Sequence, residues 1–160
     1  MILITGASSG LGAALAALYA KDNQALTLTG RDANRLHTVA NALSPFSNQS
    51  ISAISANLAD EASVEALFDG LTDAPDTVIH CAGSGYFGAL ETQGASEIQA
   101  LLNNNVTSTI LLVRELVKRY KQQAVKVVIV MSTAALAAKA GESTYCAAKW
   151  AVRGFIESVR

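Results

Sequence analysis

Tyr145 and Lys149 stand four residues apart in Tyr145-Cys146-Ala147-Ala148-Lys149. On a helix that spacing puts both side chains on one face. An ammonium beside a phenol favours the phenolate and lowers the tyrosine pKa. A free phenol titrates near ~10, too high for easy proton exchange at neutral pH. A phenol tuned this way can protonate an alkoxide formed by hydride addition, or take a proton from an alcohol. Ser132 lies thirteen residues before Tyr145, just past an apolar run, and can hydrogen-bond the same oxygen. Asn103-Asn104-Asn105 interrupts a helix-period segment, where asparagine is a poor helix former, and demands an explanation. Each residue also has an ordinary alternative. Tyr-x-x-x-Lys pairs decorate solvated helix faces, serine is common after strands, and asparagine in a helix can face water. Their weight comes from standing together with a motif at the other end of the chain.

That motif is Thr5-Gly6-Ala7-Ser8-Ser9-Gly10-Leu11-Gly12. Glycine permits a tight turn and close approach of backbone to a pyrophosphate. A helix starting near Gly10 aims its free N–H groups at the anion, and Ser8 and Ser9 add hydroxyl donors. The spacing is G-x-x-x-G-x-G rather than G-x-G-x-x-G. The lysine of a P-loop is missing, which argues against phosphoryl transfer. A plain strand-to-helix turn is the ordinary alternative. Gly30-Arg31-Asp32 ends the next apolar run. An acidic residue at that place favours a ribose 2′-hydroxyl, and arginine favours a 2′-phosphate. Arg31 offers a planar guanidinium, so NADP is favoured over NAD. Asp32 complicates the choice, because it can pair with Arg31 or Arg35.

The elements that must hold these groups alternate. Strands are expected at 2–5, 25–29, 51–56, 76–80 and 125–131, and helices at 10–21, 34–43, 61–71 and 96–122. A last helix starts at Ser143 or Thr144 and is expected still to run at Arg160. The pattern predicts one α/β domain over residues 1–160, a doubly wound, Rossmann-like parallel sheet between two helix layers. Ligands of such sheets bind beyond the carboxyl ends of the strands, where the motifs fall. With 51% hydrophobic and 16% charged residues, the chain is globular rather than disordered. A formal net charge of −1 gives no reason to expect nucleic acid as a partner. No apolar run is long enough to span a bilayer, and the opening lacks a basic leader, so no membrane partner and a cytoplasmic location are expected. Cys81 and Cys146 lack metal-type spacing, and no metal site is expected.

Together these residues resemble the short-chain dehydrogenase/reductase family in its standard, non-extended form, over nearly the whole chain. Thr5 to Gly12 resembles the family's T-G-x-x-x-G-x-G turn. Asn57-Leu58 falls where the family has Asp and an apolar residue near the adenine. His80-Cys81-Ala82-Gly83 is similar to its N-N-A-G segment, and Asn105-Val106-Thr107-Ser108 to the motif around its helix-four Asn. Ser132, Tyr145 and Lys149 match its active site. The resemblance implies that Gly6, Ser8, Ser9, Gly10, Leu11, Gly12, Arg31, Asn57, Leu58, Cys81, Ala82, Gly83, Tyr145 and Lys149 bind NADP. It implies Tyr145 as general acid/base, Lys149 as its tuner and ribose ligand, Ser132 as the group orienting the substrate, and Asn105 as support for Lys149 through a water.

The implied reaction is hydride transfer between NADP(H) and a small carbonyl or alcohol substrate, in a homodimer or homotetramer. Ser84, Tyr86, Ala134 and Glu142 are expected near the substrate; Ser143 and Thr144 are equally candidates for helix caps. Asn57 replaces an acid, and His80-Cys81 replaces two asparagines. Family members continue into two further strands, so the chain is expected to lack that part of the sheet. The competing reading is a non-catalytic NADP(H)-binding sensor or partner-binding module.

Overall fold

The computed structural model describes residues 1–159. Five apolar runs form strands: β1 (Ile2–Thr5), β2 (Leu26–Gly30), β3 (Ile51–Ser55), β4 (Thr77–His80) and β5 (Lys126–Ile129). All pair in parallel, in the order β3-β2-β1-β4-β5. The chain therefore winds outward from β1 to β3, then crosses back to build β4 and β5 on the other side. The reversal lies between β1 and β4, where Thr5 stands opposite His80. At such a switch point the two connecting segments diverge and leave a crevice.

Alternation along the central strand supplies two cores. Ile2 and Ile4 of β1 face helices α1 (Gly10–Lys21) and α2 (Ala33–Leu43), packing with Ala16, Ala20, Leu36 and Ala40. Leu3, between them, faces the opposite layer. There it meets Val64, Leu67 and Phe68 of α3 (Glu61–Asp69) and Leu112 and Leu116 of α5 (Ser108–Tyr120). Burial of each of these leucines contributes about 2 kcal/mol. The alanines of α1 let that helix come close to the sheet, which brings its first turn against the end of β1.

An ionic layer joins α3 to α5. Lys118 donates to Glu65 at 2.9 Å, and Arg119 donates to Asp69 at 2.7 Å and to Glu115 at 2.5 Å. Burial alone would raise the Glu115 carboxyl, but the hydrogen bond from Arg119 and the charge of Lys118 outweigh it and hold the group below the ordinary carboxylate range.

The segment expected as one helix over 96–122 is instead α4 (Ala95–Leu102), a π-helical turn over Asn103–Thr107, and α5. Ser108 N–H bonds Asn103 O, an i→i−5 step. The three asparagines are the cause. Asn105 turns its side chain back to donate Nδ2 to Leu101 O at 2.9 Å, taking the carbonyl that a regular α-helix would give to its own backbone N–H. Ser108 and Thr109 hydroxyls then serve the carbonyls of Asn104 and Asn105, at 2.8 and 2.6 Å.

The last helix, α6 (Ser143–Ser158), packs on this π turn and on α4. It ends at Ser158 rather than running on; Arg160 lies outside the described residues. β5 is the sheet edge on its side, with Val127 and Val128 about two-fifths exposed (41% and 42%).

Candidate active site

The switch point opens into a cleft of about 740 Å³, within the range of small-molecule sites. Its wall contains twelve of the expected cofactor residues: Gly6, Ser8, Ser9, Gly10, Leu11 and Gly12 from the first turn, Arg31 after β2, Asn57 and Leu58 after β3, and Cys81, Ala82 and Gly83 after β4. Tyr145 and Lys149 do not line it; they stand on α6. The wall also includes Asp32, Asn104 and Ser108, which the motifs did not assign. The three-asparagine run was the available signal for Asn104.

The glycines serve different needs. Gly6, at φ +64°, is packed so closely that a Cβ there would lie 2.8 Å from Ala82 N, and one on Gly12 would lie 2.5 Å from Gly6 O. The turn is thereby folded against both the next strand's end and its own helix. Gly10 needs its positive φ of +55°, but a Cβ there would meet nothing within 4 Å. The space over the helix start is open. Ser9 precedes α1 without a capping side-chain bond, so the first-turn N–H groups face that opening. Ser8 and Ser9 hydroxyls have no hydrogen bond among the described residues. A cradle of close backbone, free N–H groups and free hydroxyls fits a pyrophosphate.

Asp32 does not pair with Arg31. It accepts from Arg35 Nε at 2.7 Å and caps α2 through Arg35 N at 3.0 Å. That backbone hydrogen bond, with the Arg35 side chain, lowers its carboxyl pKa. Arg31 is left with a neutral partner, donating to Asn104 Oδ1 at 2.9 Å across the cleft. Asn57 uses Oδ1 to accept from Ala59 N at 3.2 Å, and Leu58 is buried beside it.

On the other side of the switch point, Asn105 is 1% exposed. Besides Leu101 O it donates to Ser84 O at 2.7 Å, while its Oδ1 has no partner. A methyl built on Gly83 would meet that Oδ1 at 2.8 Å and Lys149 Nζ at 3.5 Å. Both atoms therefore open onto the small space at Gly83. Lys149 is 8% exposed, has no ion pair or hydrogen bond among the described residues, and has its pKa pushed down by burial. Its ammonium lies 5.7 Å from the centre of the Tyr145 ring, as the i,i+4 spacing requires. Phe87 flanks the same ring at 6.1 Å.

Ser132 accepts from Ala134 N at 3.1 Å, so its own proton stays available. It borders a separate groove of about 500 Å³ with Met131, Leu136 and Arg153. Of the expected substrate-side residues, Ala134 is fully buried, Ser84 is tied to Asn104 and Asn105, Tyr86 bonds Thr92 at 3.1 Å, and Glu142 precedes α6. Neither Ser143 nor Thr144 caps that helix; Thr144 donates instead to Gln93 at 2.7 Å.

Beneath the site, His80 links the two sides. Nδ1 is 2.8 Å from Thr5 Oγ1 and Nε2 is 3.0 Å from Thr109 Oγ1. Thr109 spends its one proton on the Asn105 carbonyl, so it accepts from Nε2–H. Thr5 accepts from Ala82 N at 3.2 Å and keeps one proton to give. Thr109 fixes the proton on Nε2, and burial favours the neutral ring, which leaves Nδ1 to accept the Thr5 proton.

A profile of the family described as short chain dehydrogenase matches residues 1–160. Among solved structures, a short-chain dehydrogenase/reductase from Vibrio parahaemolyticus superposes with a TM-score of 0.94 at 54% identity, covering 100% of this chain and 74% of that one. A short-chain dehydrogenase from Sphingobium yanoikuyae in complex with NADPH gives 0.88 at 31%, covering 99% and 63%. One from Burkholderia phymatum in complex with NAD gives 0.91 at 26%, covering 99% and 58%. The chain belongs to the short-chain dehydrogenase family. It spans 34%, 51% and 46% of the length of three curated relatives it matches. No helix among the described residues is long and apolar enough to cross a membrane.

Burial, with the charge of Lys149 second, pushes His80 down to about 4 from its ordinary 6.5. Below pH 6.5 the unfolded chain takes up a proton that the folded chain refuses, until the folded pKa is reached. Stability is therefore full above that range and falls with falling pH, by about 3 kcal/mol in all. Urea unfolding at about pH 7.5 and about pH 4 should show this loss in the wild type. His80→Gln should lose less by that amount, and equal losses in the two proteins would contradict the assignment.

Proposed function

We propose that this chain forms the cofactor-binding and proton-transfer part of an oxidoreductase that interconverts a carbonyl and an alcohol with NADP(H). The observation that carries the reading is Lys149. A buried ammonium with no carboxylate partner is costly to keep. Its position beside Tyr145, at the space shared by Gly83 and the unpaired Asn105 oxygen, gives that cost a purpose.

In this reading Tyr145 gives its hydroxyl proton to the substrate oxygen during reduction, and takes it back during oxidation. Lys149, beside the Tyr145 ring, would hold the ribose hydroxyls. Ser132 donates its free proton to the same substrate oxygen. The Asn105 oxygen supports Lys149 across the Gly83 space through a water. Bound NADPH would supply the hydride. The first-turn N–H groups would hold the pyrophosphate, and Asn57 and Leu58 would border the adenine.

The preference for NADP rests on the division of labour between two arginines. Arg35 neutralises Asp32, so no free carboxylate repels a 2′-phosphate, and Arg31 holds only a neutral amide that a phosphate can displace. Relatives of known structure carry either cofactor, so the preference is argued from these residues.

Two experiments on the full-length protein test the reading. Tyr145→Phe should lose about 10²- to 10⁴-fold in NADPH-dependent reduction of a panel of alkyl and aryl ketones and aldehydes. Its NADPH affinity, by fluorescence titration, should be retained. Undiminished turnover would sink the assignment, and NADPH binding by the wild type without turnover of any carbonyl would favour the sensor reading. Arg31→Ala should weaken NADPH binding about 10-fold or more while leaving NADH unchanged. Equal effects on the two cofactors would overturn the NADP preference.

A further inference from the structure

His80 is 2% exposed and lies outside the cleft wall, yet its hydrogen bonds end on both halves of the site. On the Nδ1 side, Thr5 immediately precedes Gly6, and the same hydroxyl accepts from Ala82 N. On the Nε2 side, Thr109 donates to the carbonyl of Asn105 at 2.6 Å. The Asn105 side chain then spans Ser84 O and Leu101 O, leaving Oδ1 open to the space beside Lys149 Nζ.

We propose that His80 is a positioning residue: through Thr109 it fixes the π turn, and with it the Asn105 oxygen that faces Lys149. The inference rests on the reading of Tyr145 and Lys149 as the proton-transfer pair. A neutral imidazole suits the place because it offers one donor and one acceptor on opposite edges. Each threonine hydroxyl has only one proton. Thr109 has already committed its proton to Asn105, so it needs a donor from the ring. Thr5 accepts from Ala82 and has its own proton still to give, so it is served by an acceptor on the ring. An apolar residue would leave the Thr5 proton without an acceptor in the interior and remove the donor that holds Thr109. An imidazolium would present a second donor to Thr5 and leave the Thr5 proton without its acceptor.

A role confined to stabilising the sheet would leave the chemistry of Lys149 unmoved once the protein is folded. Positioning makes Lys149 respond to Thr109, which does not touch it in any hydrogen bond.

The test uses the full-length protein with labelled histidine and lysine. Imidazole nitrogen shifts should show His80 neutral with the proton on Nε2. Thr109→Val should move the titration midpoint of Lys149. It should lower kcat about 10- to 100-fold on the fastest carbonyl of the panel, the scale of a small misplacement of a reacting group. NADPH affinity should change little. Thr109→Ser, which keeps the hydroxyl, should restore both readouts. His80→Leu should repeat the loss, and His80→Gln, whose amide can donate toward Thr109, should recover most of it. An Nδ1–H or charged ring would overturn the proposal. So would a Thr109→Val protein with unchanged Lys149 midpoint and kcat. If Thr109→Val does not fold, the tautomer and the difference between His80→Gln and His80→Leu decide. Full turnover by Tyr145→Phe would remove the proton-transfer reading, while the Lys149 midpoint would still report whether His80 positions Asn105.

Discussion

The parallel register of β1 against β4 sets Thr5 opposite His80, and the site depends on that pairing. It brings two chain segments 75 residues apart in sequence to one point, where the sheet changes its direction of winding. The Gly-rich turn leaves from one strand and the Cys81-Ala82-Gly83 segment from the other. Gly6 packs on Ala82 so tightly that no side chain fits between them. A shift of one residue in this register would reverse which faces Ile2, Leu3 and Ile4 present to the two cores. The apolar cores therefore enforce the placement of the polar groups.

Polar groups near this point follow a consistent division. Those that hold the architecture are paired: Asp32 with Arg35, Glu115 with Arg119 and Lys118, and His80 with two threonines. Among those left unpaired, the Asn105 oxygen, the Lys149 ammonium, the Ser8 and Ser9 hydroxyls and the first N–H groups of α1 border open space, whereas Thr29 Oγ1 and Gln93 Nε2 are buried without a partner. Unpaired buried polar groups reduce stability. The proposed cofactor would give partners to those of them that border the cleft.

Much of this was legible in the sequence. Each strand is a short apolar run because both faces of the sheet are covered, and the order of strands and helices follows from alternation alone. The cleft residues were legible because chemistry at a parallel sheet falls just after each strand. Two features were hidden for definite reasons. Helix-period apolar residues lie on both sides of Asn103–Thr107, so the π turn reads as part of one long helix; only the asparagine run betrays it. The partner of Asp32 depends on which neighbouring arginine reaches back along α2, a choice between Arg31 and Arg35 that spacing leaves open. Ser143 and Thr144, read equally as candidate caps, do not cap α6; the Thr144 hydroxyl goes instead to Gln93, 51 residues away in sequence. The hydrogen-bond chain through Thr5, His80 and Thr109 has no local signature, because its members come from three separate elements.

The central claim is that one nicotinamide dinucleotide spans the switch point, from Arg31 across the Gly-rich turn to Lys149. A crystal structure of the full-length protein grown with NADP(H) tests it most directly. The account predicts pyrophosphate on the N–H groups that open α1, the 2′-phosphate on Arg31, and the nicotinamide ribose at Lys149 beside Tyr145. A cofactor bound elsewhere, or one lying in this cleft with its nicotinamide directed away from Tyr145 and Lys149, would contradict it.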